Sequence, residues 1–388
     1  MTADINGSIP AIIIGLNTER KSALKDEASL RELALLGQTA GFRPFMQRLY
    51  RKERIDPANY LGCGKAHDIR RITRENDLDA VILDFELSPV QIRNLKDIIK
   101  KRIVPRTELI LEIFAQRAHT REAKLQVELA TLIYSLPRLR HMWPHLGRIA
   151  GGIGAKGPGE KQIEMDKRRI RKRIAKIKTE LVSVSKHRMT IRKNRQSKFK
   201  AALVGYTNAG KSSVLNVLSH SSLFTENRLF ATLDPATREV WLGENTTMLV
   251  TDTVGFIKDL PPTLIDSFRS TLEEVKEADL LLHTVDISNS DALERIQAVD
   301  TVLKEIGAAD MPVLYVFNKV DLLERRDTKA LLLSRYKNHV IVSAKTKEGV
   351  NTMKQVLLQH YKEMKAFHVS GTYGSASVLL QPNEMSPV

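Results

Sequence analysis

The chain has 388 residues, enough for two or three domains each with its own core, and carries 61 Lys and Arg against 45 Asp and Glu, a formal charge of +16. That surplus points to a polyanionic partner, nucleic acid or an anionic membrane face. The single cysteine, Cys63, excludes an intrachain disulfide framework and indicates a reducing compartment. No apolar run approaches the roughly 20 residues that span a bilayer, and the opening MTADINGSIP lacks the basic and apolar blocks of a secretion signal. The expectation is a cytoplasmic, monomeric protein without stable membrane insertion.

In chain order, AIIIG (11–15) predicts a short buried strand, Ala28–Gln38 a helix, and AVIL (80–83) a second strand. SPVQIRNLKDII (88–99) places Ser at an N-cap and Pro just inside a helix. Strands alternating with helices predict an N-terminal α/β subdomain over 1–104. From 105 to 196 the pattern turns helical. Leu125, Leu129, Leu132 and Leu136 recur at spacings of 4, 3 and 4 before Pro137 breaks the run. A second helix starts near Glu160, with Ile163, Ile170, Ile174, Ile177, Leu181 and Val184 at heptad spacing. Two such stripes predict a long antiparallel helical hairpin with a Gly-rich tip loop over 138–160. Between Lys161 and Lys200 stand 16 Lys and Arg against 3 Asp and Glu, a net of +13. Charge so unbalanced predicts a polyanionic partner along Lys161, Lys167, Arg168, Arg169, Arg171, Lys172 and Arg173, with Lys156 in the Gly-rich loop just before them. The bland alternative is a solvated face. A membrane-surface role fits less well, because the narrow apolar stripe is needed for hairpin packing.

Residues 197–364 change character: from Ala201 to Glu363 there are 18 Lys and Arg against 22 Asp and Glu. FKAALV (199–204) reads as a strand, followed by GYTNAGKSS and a helical VLNVLSH. This is G-x-x-x-x-G-K-[ST]. Backbone N–H groups over Gly205, Tyr206, Thr207, Asn208, Ala209, Gly210, Lys211, Ser212 and Ser213 would cradle phosphates, with Lys211 on the β- and γ-phosphates and Ser212 on Mg²⁺. TMLVT (247–251) then runs into Asp252, a second Mg²⁺ ligand, and into Thr253, Val254 and Gly255, whose N–H faces the γ-phosphate. Upstream, LFATLDPATRE lacks periodicity and suits a loop ordered by γ-phosphate and Mg²⁺ through Phe230, Ala231 and Thr232, with Thr237 the weaker choice for the sensing hydroxyl. MPVLYVFNKVD supplies Asn318, Lys319 and Asp321, whose carboxylate selects guanine over adenine. HVIVSAK supplies Ser343, Ala344 and Lys345, with the Ala344 N–H aimed at O6 of the base. The expected fold is a P-loop GTPase domain, a mostly parallel sheet flanked by helices, with GTP/GDP and Mg²⁺ as cofactors. Phe256 stands where many GTPases carry a water-orienting Gln, so hydrolysis is expected to be slow alone. Asn208 could hold K⁺ beside the phosphates, joining Lys211, Thr232 and Gly255 as a catalytic group; a loop-stabilising side chain is the equal alternative. Residues 365–388 read as a short C-terminal tail.

The chain resembles the HflX family of GTPases in ELSPVQIRNL (86–95), RTELILEIFAQRAHTREAKLQVELA (106–130), GGIGAKGPGEKQIEMDKRRI (151–170) and FATLDPATR (230–238). The resemblance implies a translation-factor-class GTPase that binds the large ribosomal subunit and its RNA. It implies action on intact ribosomes, dissociating or rescuing them under stress, with ribosome-stimulated turnover. It also implies that GGIGAKGPGE, lacking a preceding strand and a following Lys-Ser/Thr, is an RNA-facing tip and not a phosphate loop. Departures from the family pattern stand at GPGEKQIE (157–164), at Pro105 and in the short tail. LGCGKAHDI (61–69) has glycines and Lys65 but no Ser/Thr after the lysine, which argues against the N-terminal ATP site described for some relatives. His141 and His145 lack further ligands, so no metal beyond Mg²⁺ is expected. The alternatives are a large-subunit assembly GTPase and a nucleotide-regulated RNA-binding or remodelling protein.

Overall fold

A computed structural model of the chain describes residues 8–17, 23–51, 54–141, 158–193, 198–219, 229–258, 261, 264, 267, 269–323 and 326–370. The first of two sheets contains β1 (Ile9–Asn17), β2 (Phe42–Arg51), β3 (Ala80–Leu83) and β4 (Arg102–Pro105), ordered β2-β1-β3-β4 with every pair parallel. Helices α1 (Ala23–Thr39), α2 (Cys63–Glu75) and α3 (Pro89–Ile99) cross between the strands. Ile13 and Ile82 pack on the α1 side, Ile12, Ile14, Val81 and Leu83 on the α2 and α3 side. Both faces are covered, which is why β1 and β3 read as unbroken apolar runs. The expected Ser88 cap forms a full capping box with Gln91. Strands β2 and β4 escape the sequence reading. β2 lies at the sheet edge and tolerates Pro44 and its arginines there, so it shows no apolar run.

Helix α4 (Arg106–Arg117) departs from the expected hairpin. Leu109, Ile110, Ile113 and Phe114 are buried in the cluster that holds α1 and β1, so α4 packs as part of the N-terminal layer. The paired helices are α5 (Arg121–Ser135) and α6 (Pro158–Lys193). Their seam is Leu125, Leu129, Leu132 and Ile133 against Ile174, Ile177 and Leu181, the stripe read from the heptad spacing. The tip between the two helices, with Lys156, lies outside the described residues.

The second sheet contains β5 (Lys200–Gly205), β6 (Ala236–Gly243), β7 (Thr246–Asp252), β8 (Leu280–Asp286), β9 (Val313–Asn318) and β10 (His339–Ile341), ordered β10-β9-β8-β5-β7-β6. All neighbours are parallel except β6 and β7. Helices α7 (Lys211–Ser219), α8 (Arg269–Lys276), α9 (Ala292–Glu305), α10 (Arg326–Arg335) and α11 (Val350–Ser370) accompany it. Helix α11 continues past residue 364, so the tail expected from 365 begins as helix. Apolar residues of the second domain (Leu229, Phe230, Leu233, Val254, Phe256 and Ile257) share one cluster with Leu109 and Phe114. Among the described residues no helix is long and apolar enough to cross a membrane.

Candidate nucleotide site

The site forms where β5 turns into α7. Gly210 there has φ +93°, and a Cβ on it would run into the Asn318 side chain, so only glycine lets the loop close. Asn208 also takes a left-handed φ of 60°, a conformation Asn tolerates. Thr207, Asn208, Gly210, Lys211, Ser212, Ser213, Phe230, Ala231, Thr232, Thr253 and Gly255 line one cavity. Lys211 is buried and donates from Nζ to the carbonyls of Gly205 (3.2 Å) and Tyr206 (3.0 Å). Burial lowers its pKa to about 8, against the opposing pull of Asp252. A buried cation with no carboxylate in ion-pair contact is a ready counter-charge for phosphate.

Three oxygens converge beside it. Ser212 Oγ donates to Asp252 Oδ2 at 2.6 Å, Thr232 Oγ1 donates to the same atom at 2.9 Å, and the two hydroxyls are 2.8 Å apart. Asp252 Oδ1 is buried with no protein partner. Burial raises the Asp252 pKa, with Lys211 opposing. An oxygen-only set with an orphaned carboxylate oxygen suits a hard divalent cation such as Mg²⁺. Thr232, not Thr237, reaches this point: Thr237 Oγ1 lies 2.9 Å from Thr251 Oγ1 within the β6–β7 pair. Gly255 closes the other wall. A Cβ on it would fall 2.9 Å from Thr207 Cγ2 and 3.0 Å from Lys211 Nζ. The Thr253 hydroxyl donates to the Leu203 carbonyl at 2.6 Å, and Val254 is buried.

At the far end of the sheet, Asn318 Nδ2 donates to the Ala209 carbonyl at 3.0 Å and ties the base side to the phosphate loop. Ser343 Oγ donates to Asp321 Oδ1 at 2.7 Å, orienting a carboxylate that is otherwise exposed. Lys319 pairs with Asp286 at 2.8 Å, and Lys345 is exposed. The Ala344 N–H, expected to face the base, donates to Asn318 Oδ1 at 3.0 Å. Tyr206, expected among the nucleotide contacts, turns its side chain away: its hydroxyl donates to Glu32 Oε2 at 2.6 Å and accepts from the Lys258 N–H at 2.9 Å. Phe256 is 2 % exposed and packs in the interdomain cluster.

On the hairpin, Arg168, Arg171 and Lys172 are exposed, Lys167 is half-buried and Arg169 lies 3.8 Å from Asp166. Arg173 differs from the expected RNA contact. Its guanidinium grips Glu128 of α5 with two 2.6 Å bonds, so its charge closes the hairpin. Lys161 lies on α6.

A mostly parallel sheet, a phosphate loop, two converging loop segments and an Asn-Lys-x-Asp base set define a P-loop GTPase. Three family models match in series: residues 27–115 the GTP-binding GTPase N-terminal region, 117–195 the GTP-binding GTPase middle region, and 200–319 a 50S ribosome-binding GTPase. The chain is 43 % identical over 380 residues to GTPase HflX of Flavobacterium psychrophilum, covering 92 % of this chain and 91 % of that one. It is 40 % identical over 366 residues to GTPase HflX of Escherichia coli, covering 93 % and 83 %. The chain therefore belongs to the HflX family of GTPases, and it binds and hydrolyses GTP. A crystal structure of SsGBP with GDP shares the fold at a TM-score of 0.50 and 24 % identity, over 92 % of this chain and 99 % of that one.

Proposed function

We propose that the chain is a GTP-dependent switch that binds the large ribosomal subunit and dissociates or rescues ribosomes. The N-terminal domain and hairpin form its RNA-facing part. The observation that carries the reading is the division of labour on α6: its apolar stripe is consumed by α5, and the arginines and lysines around Arg168–Lys172 remain exposed. A helix so charged is stabilised by meeting a polyanion. Membership in the HflX family and the 50S ribosome-binding family match point the same way. Lys156, Lys161, Lys167, Arg168, Arg169, Arg171 and Lys172 are the contacts assigned to RNA; Arg173 is assigned to the hairpin.

In turnover, Ser212, Thr232 and Asp252 would hold Mg²⁺, which when bound neutralises phosphate charge. Lys211 supplies a fixed positive charge, and the Gly255 N–H stabilises the oxygens of the transferred phosphoryl group. Asn208, lining the cavity, is assigned to K⁺ beside the β- and γ-phosphates; equal turnover in K⁺ and Na⁺ would remove that role. Because Phe256 is buried and cannot orient water, turnover is slow until the ribosome supplies what is missing. The test is GTP turnover by the intact chain alone and with large subunits, small subunits or whole ribosomes. Stimulation restricted to large subunits and whole ribosomes is expected. No stimulation by any of them would sink the ribosomal reading and leave the basic hairpin to another RNA.

A further inference from the structure

The carboxyl ends of β3 and β4 deliver Asp84 and Arg106 to the boundary between the two domains. Arg106 Nη1 donates to Asp84 Oδ1 at 2.9 Å, and Nη2 bonds Glu32 of α1. All three side chains are nearly buried, at 8 %, 14 % and 11 % exposure. This cluster reaches directly into the GTPase domain. Glu32 accepts from the Tyr206 hydroxyl, and that hydroxyl accepts from the Lys258 N–H; the Lys258 carbonyl accepts from Arg106 Nη2 at 3.4 Å. Both backbone polar groups of Lys258, three residues beyond Gly255, are thus held by N-terminal residues or by Tyr206, which those residues orient. Between them, Phe256 N donates to the Gly205 carbonyl at 3.1 Å and Thr207 N donates to the Phe256 carbonyl at 2.7 Å. The segment that must present the Gly255 N–H to phosphate is laced down on both sides.

The loop carrying Thr232 is held from the same direction. Phe230 takes a left-handed φ of 55°, which an aromatic residue adopts only under constraint. Its ring stands edge-on to Phe114 of α4 with centroids 4.8 Å apart. Asp234 accepts from the N–H groups of His119 and Thr120 at 3.2 Å and from the Thr120 hydroxyl. Thr232 of this loop bonds Asp252 beside Ser212, so the loop is tied both to N-terminal residues and to the phosphate-loop helix.

We propose that Glu32, Arg106 and Tyr206 are positioning residues for GTP turnover, so that the N-terminal domain is part of the hydrolytic unit and not only an RNA-binding attachment. None of the three touches the phosphates through its side chain; they act by fixing Lys258 and hence Gly255. Removing the Tyr206 hydroxyl frees the Lys258 N–H but leaves the phosphate loop backbone and the Glu32–Arg106 pair in place. Preordering that belongs to the triphosphate state is lost, while the diphosphate, which makes no contact with Gly255, is bound as before.

The test uses the intact chain and Tyr206→Phe, with Glu32→Ala and Glu32→Gln as a second pair. Steady-state turnover, GDP affinity, affinity for a non-hydrolysable GTP analogue and melting temperature are measured for each. Tyr206→Phe and Glu32→Ala are expected to lower kcat about tenfold, because the Gly255 segment is no longer held in place for phosphoryl transfer. GDP affinity should stay within twofold and the analogue-to-GDP preference should fall. Glu32→Gln, whose Oε1 can still accept from Arg106 and whose Nε2 can only donate to the Tyr206 oxygen, should recover part of kcat. The proposal is overturned if kcat and the analogue preference are unchanged in Tyr206→Phe. It is equally overturned if kcat falls only in step with GDP affinity and melting temperature, without rescue by Glu32→Gln.

Discussion

Two parallel sheets of this chain end in opposite ways. Where β5 gives way to α7, the second sheet opens onto a cavity lined by the phosphate-loop residues and one buried lysine. In the first sheet the crevice where open α/β folds bind ligands lies at the carboxyl ends of β1 and β3, where the strand order reverses. Here that crevice is filled by Arg106, Asp84, Glu32 and the Tyr206 hydroxyl. In the second sheet the buried Lys211 bonds two carbonyls of its own loop; in the first, the buried charges pair with one another and grip a neighbour. A shared architecture thus says little about which crevice binds nucleotide. Lys65, in the glycine-bearing LGCGKAHDI, is likewise spent internally, on the carbonyl of Arg51.

The comparison breaks most visibly by removing one cation from each crevice. Arg106→Ala strands two buried carboxylates, and burial already pushes Asp84 upward in pKa. A loss of about 3–5 kcal/mol and a large drop in melting temperature are expected. Lys211→Ala should abolish GTP binding yet leave the nucleotide-free melting temperature unchanged or higher, because that lysine is buried without an ion pair. Equal losses in the two variants would show that the crevices do not differ.

A smaller effect sharpens the contrast through pH. The folded value of Lys211, about 8, lies below the ordinary 10.5. Between those values the unfolded chain holds a proton that the folded, nucleotide-free chain lacks, so stability of the free protein rises with pH across that window. Phosphate needs the charged form, so GTP binding should take up a proton and weaken progressively above pH 8. Calorimetry at pH 9 in buffers of different ionisation heat measures this; identical heats would place the lysine's titration elsewhere.

The smallest effects separate two kinds of charge on α6. Replacing Lys167, Arg168, Arg171 and Lys172 by Gln should flatten the salt dependence of ribosome binding, by about 0.7 to 0.9 for each RNA phosphate no longer neutralised. Arg173→Gln should barely change that slope. It should instead lower hairpin stability slightly, since the Arg173–Glu128 pair is partly exposed and screened. A full unit of slope removed by Arg173→Gln alone would return that residue to the RNA face.

What the sequence made legible follows from contact range. The phosphate loop, Asp252 and the Asn318–Asp321 set are local patterns on strand ends, and they could be read along with the α5–α6 seam. Strand β2 could not be read, because an edge strand carries no continuous apolar signal. Nor could the Arg106 cluster, whose partners lie 22, 74 and 152 positions away. Tyr206 carries a second role that no local pattern announces: its backbone lies in the phosphate loop, while its hydroxyl bonds Glu32 of the other domain. The Arg173 pairing was hidden in the same way, because one arginine among many on a charged helix gives no sign of which will fold inward.

The bond between Asp234 and the start of α5 has a mechanical consequence. Arg121, at that same end, meets Glu180 of α6 at 3.4 Å, so the loop carrying Thr232 is fastened part-way along a long rod. From Glu180 back to Pro158 the rod extends about 33 Å. A tilt of about 10° at the fastening would sweep its far end through about 6 Å, several times any single loop adjustment beside a phosphate. A tilt passed through the Asp234–Thr120 bond would therefore be larger at the far end of the hairpin than at the nucleotide loop.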